Sequence, residues 1–89
     1  MTTSSVKINS QDWANFLGIP QGTTLSEDEF HMRSFKAVNQ KEYERYINEG
    51  YGEQEAKQRA NRQTAQARSQ MNDHSKRLAI QLAEESDNE

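Results

Sequence analysis

Few residues in this chain have chemistry to offer. Its histidines are His31 and His74, and it has no cysteine. Without thiolates a zinc site would need both imidazoles plus carboxylates, and their separation gives no ligand pair. The acids Glu27, Asp28 and Glu29 suggest a cation or acid–base chemistry. With Ser26 before them they read instead as a capping box. The Ser26 hydroxyl accepts from the Glu29 amide, the Glu29 carboxylate reaches back, and the acids suit the positive end of a helix. Gly18 and Gly22 bracket a loop without a phosphate-cradling pattern. The serines have no histidine–acid companions of a recognisable type. A chain of 89 residues hardly encloses a preorganised pocket. The sequence therefore predicts no catalytic residue, metal or cofactor, and a protein that is not an enzyme.

Charge is the remaining chemical signal. Residues 27–55 carry eight acids against four bases, a net of −4. Residues 57–77 carry six bases against Asp73 alone, a net of +5, and residues 78–89 return to −4. On one continuous helix, Arg59, Arg62, Lys76 and Arg77 cluster on one side. Such a side suits phosphates or an acidic protein, each phosphate contact adding salt-dependent affinity. The chain as a whole is acidic at −3, and no aromatic interleaves with these cations to stack bases.

The elements that position this patch follow from composition. Apolar residues make up only 31% of the chain and charged residues 28%, so the core is thin. All aromatics lie between Trp13 and Tyr51. Val6 and Ile8 alternate with polar residues, but a lone strand has no partner, so residues 1–9 read as an extended or disordered arm. A first helix starts at the N-cap Ser10, carries Trp13, Phe16 and Leu17, and stops at Gly18 before Pro20. Residues 21–24 read as a loop. The second helix follows Ser26 with Phe30, Met32, Phe35, Ala37 and Val38. Asn39 reads as a cap, with a third helix over 40–49 bearing Tyr43, Tyr46 and Ile47, although nothing forbids continuity. Gly50-Tyr51-Gly52 then turns the chain into a helical hairpin, Tyr51 packing back on Tyr46 or Ile47.

After Gly52 there is neither glycine nor proline. The run predicts one helix over 53–86, roughly 50 Å long at 1.5 Å per residue. Ala56, Ala60, Thr64, Ala67, Met71, Ser75, Leu78 and Leu82 form an 11-residue repeat and a nearly straight small-residue stripe. Either the stripe faces inward, or Ala60, Ala67, Met71 and Leu78 form a weak self-association seam. Ile80 falls on the opposite side.

The expected fold is all-α, a single domain. It comprises the arm at 1–9, a cluster of two or three short helices at 10–52, the long C-terminal helix at 53–86 and a disordered tail at 87–89. The expected function is a non-catalytic interaction protein that modulates or scaffolds a partner protein through Arg59, Arg62, Lys76 and Arg77, with Leu78, Ile80 and Leu82 as apolar anchors. Its size and polar texture resemble those of small accessory proteins of phages and mobile elements, a likeness of style carried by no motif. A nucleic-acid-binding regulator using the same basic side is the alternative, and an oligomeric virion or assembly component the third reading. With no signal-like or membrane-length apolar run, the expected setting is cytoplasmic and away from membranes.

Overall fold

A computed structural model describes residues 5–85. The tail at 87–89 and the first four residues of the arm lie outside them. Helices dominate, as the composition demands, and a small ladder joins them. The order is β1 (Ser5–Lys7), α1 (Gln11–Leu17), β2 (Thr24–Ser26), α2 (Glu27–Asn48), α3 (Glu53–Gln70) and α4 (Asp73–Glu84). The chain divides into two compact bodies. Unit 1 takes the stretches up to Ser34 and from Asn72 onward, and unit 2 is Phe35–Met71.

Unit 1 contains the apolar core, and the expected arm is part of it. β1 pairs antiparallel with β2, setting Val6 against Leu25. Val6 and Ile8 are fully buried beside Ala14, Leu17, Leu25, Phe30 and Ala83. The arm expectation fails because the missing partner strand lies in Thr24-Leu25-Ser26, which has one apolar residue and reads as loop and cap. The Ile8 amide donates to the Thr23 carbonyl at 2.8 Å, and the Asn9 and Ser10 amides both donate to the Ala83 carbonyl at 3.0 Å. They thereby satisfy a carbonyl that the end of α4 leaves without a helical partner.

α1 begins where the Ser10 hydroxyl accepts from the Trp13 amide, 3.2 Å. It ends at Gly18, whose φ of 73° closes the last turn. The Ile19 amide reaches back to the Ala14 carbonyl and brings Ile19 onto the core. At the head of α2 the Ser26 hydroxyl accepts from the Glu29 amide at 3.1 Å, half of the expected capping box. The Glu29 carboxylate turns along the helix to Arg33 instead, 3.1 Å.

The expected second and third helices are one. Asn39 does not cap: in mid-α2 it donates to Asn61 at 2.9 Å and Thr64 at 3.1 Å. With Arg68 over the Phe35 ring at 5.0 Å, these pairs make the end of α2 and α3 an antiparallel hairpin, the core of unit 2. Its turn is as the sequence implies. Gly50 has φ 102°, and the Tyr51 amide donates to the Tyr46 carbonyl while the two rings meet at 5.6 Å.

The single long C-terminal helix is absent, and α2 is the longest helix. Met71 and Asn72 are both extended, and the Asn72 side chain accepts from the Ser75 amide at 2.8 Å, starting α4 afresh. Asn72 is a strong N-cap and Asp73 a favourable first-turn acid, and together they outweigh the lack of glycine or proline.

Candidate interaction site

The break at Asn72 divides the expected basic residues between two helices. Arg59 and Arg62 lie on α3 in unit 2, Lys76 and Arg77 on α4 in unit 1. Arg59 is moreover engaged inside unit 2, 3.0 Å from Glu55 and 4.4 Å over the Tyr51 ring. The hydrogen bond to Glu55 raises its pKa above the ordinary guanidinium value. Lys76 stands near enough to His31 for its charge to be felt there.

The small-residue stripe is broken at the same place. Ala56, Ala60 and Thr64 are buried within unit 2, where small side chains allow close approach. Ala60 of the expected self-association seam is thus covered by its own chain. Ala67 and Met71 are half-buried, and Leu78 belongs to another helix.

On α4 the inward and outward sides are exchanged relative to the sequence reading. Ala79, Ile80 and Ala83 meet the core, while Leu78 and Leu82 are 47% and 45% exposed. Backbone geometry decides this. The Ala83 carbonyl must come within hydrogen-bonding reach of the Asn9 and Ser10 amides, and a methyl side chain permits that approach where an isobutyl group would obstruct it. Ile80 lies next to Ala79 and about one turn before Ala83, and follows them inward. The two leucines are carried outward. Ile80 is therefore half-buried against the core and not an exposed anchor.

A second apolar opening was not legible as one. Asp12, Trp13 and Phe16 line a shallow cleft of about 330 Å³ on α1. Trp13 meets Phe16 edge-on at 5.6 Å and the buried Phe30 ring at 5.5 Å, so its indole is fixed from behind. Both cleft aromatics rest on the core yet stay half-exposed. Helical spacing marks Trp13, Phe16 and Leu17 as a core stripe, but Ala14 and Leu17 alone are buried, because a seven-residue helix cannot turn three large side chains into the core at once. Rigid, partly desolvated tryptophan is a common anchor in protein interfaces.

His31 lies beside this cluster, edge-on to Phe30 at 5.2 Å. Burial lowers its pKa below 6.5 and the Lys76 charge adds to that, with Glu27 and Asp28 opposing. Among the described residues no group of three histidine or acidic side chains could hold a metal ion, and no helix is long and apolar enough to cross a membrane. Comparison with models of protein families, with curated proteins and with solved structures gave no match.

Proposed function

We propose that this is a non-catalytic, cytoplasmic interaction protein that binds another protein and modulates or scaffolds it, unit 1 providing the binding surface. The observation that carries the reading is the cleft over Trp13 and Phe16: two large aromatics, backed by Phe30, left open on a molecule too small to waste apolar area. Of the anchors expected from sequence, Leu78 and Leu82 are exposed on the same unit. The basic residues support this reading less, being divided between units. A photoreactive residue at position 12 should crosslink a discrete protein in native extract, and Phe16→Ala should weaken that crosslink without unfolding the chain. The same probe at Gln58 on α3 should give none. Equal labelling from both positions, or DNA or RNA binding that weakens steeply with salt, would replace this reading with a nucleic-acid or non-specific one.

A further inference from the structure

We propose that the outward side of α4 seats a second copy of this chain, α4 lying antiparallel to α4. Ser75, Leu78, Leu82 and Glu85 are spaced three, four and three residues apart, the spacing of a two-helix seam. Leu78 and Leu82 are the exposed large apolar residues of this helix. A twofold axis near residue 80 sets Leu78 of each copy against Leu82 of the other, so the patch complements itself. Ser75 of one copy then falls beside Glu85 of the other, where its hydroxyl can donate to the carboxylate.

Charge selects the orientation. Lys76 and Arg77 outweigh Asp73 in the first half of α4, a net of +1, while Glu84 and Glu85 stand at its end. Antiparallel pairing lays the basic half of each copy along the acidic end of the other, and brings those carboxylates to the positive end of the opposing helix dipole. A parallel pair would place Arg77 beside Arg77 and Glu85 beside Glu85. An unrelated partner has no reason to match both the leucine spacing and the charge order, whereas a second copy does so by symmetry. The patch is short beside the roughly 1,200–2,000 Å² buried in stable complexes. The pairing is accordingly weak, on the order of 10⁻⁵–10⁻⁴ M.

Sedimentation of the full chain across roughly 10 µM to 1 mM tests this. The weight-average mass should rise toward that of a dimer, and a Leu78→Asp, Leu82→Asp variant should stay monomeric while keeping its helical signal, since both side chains are exposed. Arg77→Glu and Glu84→Lys should each weaken self-association, by roughly fivefold. Mixing those two variants should restore it, because each repairs the other's mismatch. A nitroxide on Asp73→Cys should broaden the Glu84 and Glu85 amides of an isotope-labelled copy. A wild type that stays monomeric throughout, a double-aspartate variant that still dimerises, or broadening confined to residues 73–76 would each overturn the proposal. Capture of a partner at position 12 is read separately, so either reading can fail without the other.

Discussion

The two units are stabilised by different means. Unit 1 encloses Val6, Ile8, Phe30 and Ala83 completely and draws them from distant parts of the chain: β1 and the residue after it, the head of α2 and the end of α4. Unit 2 buries alanine, threonine and most of one tyrosine. Its other ties are polar and lie at or near the surface: the Asn39 hydrogen bonds, of which the one to Thr64 is part-buried, Arg45 on Glu42 and Glu49, and arginines over the rings of Phe35, Tyr46 and Tyr51. Exposed ion pairs add at most about 1 kcal/mol each, and exposed cation–π contacts about the same. Buried aromatic and aliphatic side chains are worth about 1.5–3 kcal/mol each. Charge divides in the same way. Unit 1 carries nine acids against four bases, net −5, and unit 2 seven bases against five acids, net +2. Stability therefore resides in the acidic unit, which also offers the apolar openings, while the basic unit is a hairpin with a thin seam.

Phe30→Ala breaks the comparison most severely. It removes the largest fully buried side chain at a cost of about 3–5 kcal/mol, comparable to the whole stability of a small domain. Denaturant titration should show unit 1 largely unfolded. Ala60→Leu attacks the other unit: overpacking the buried seam should cost about 1–3 kcal/mol. Amide spectra should shift at Asn39 and Thr64, and those of Ile8 and Asn9 should not move. Asn72→Ala removes the cap of α4 and should cost about 1 kcal/mol, seen as faster exchange of the Ser75 amide.

The smallest effect is at His31. Its lowered folded pKa means that the unfolded chain takes up a proton first, so stability falls as pH drops through 6.5 and levels off below the folded pKa. Thermal melts from neutral to mildly acidic pH should show this slope, and His31→Gln should flatten it. Unit 2 amides should be indifferent to the substitution.

Local signals were legible wherever the physics was local. Ser10 and Ser26 as caps, Gly18 and Gly50 as helix stops, and the return of Tyr51 onto Tyr46 all follow from neighbours within a few residues. What escaped depended on distance along the chain. The Val6–Leu25 pair joins segments that each look too weak to be strands. The inward turn of Ala79 and Ala83 is dictated by amides at Asn9 and Ser10, which no periodicity within α4 reveals. The split at Asn72 was readable, since Asn-Asp followed by Ser75 is a start signal, but the unbroken run of helix formers on both sides concealed it. The cleft was missed because helical spacing identifies an apolar face but not how much of it finds cover.

Native-state hydrogen exchange tests the inequality between the units most directly. The Ile8, Asn9 and Ser10 amides, tied to Thr23 and Ala83, should outlast those of Ala60 and Thr64 by well over tenfold, a factor corresponding to about 1.4 kcal/mol. Equal protection in the two sets, or slower exchange in α3, would contradict the assignment of the stable scaffold to unit 1.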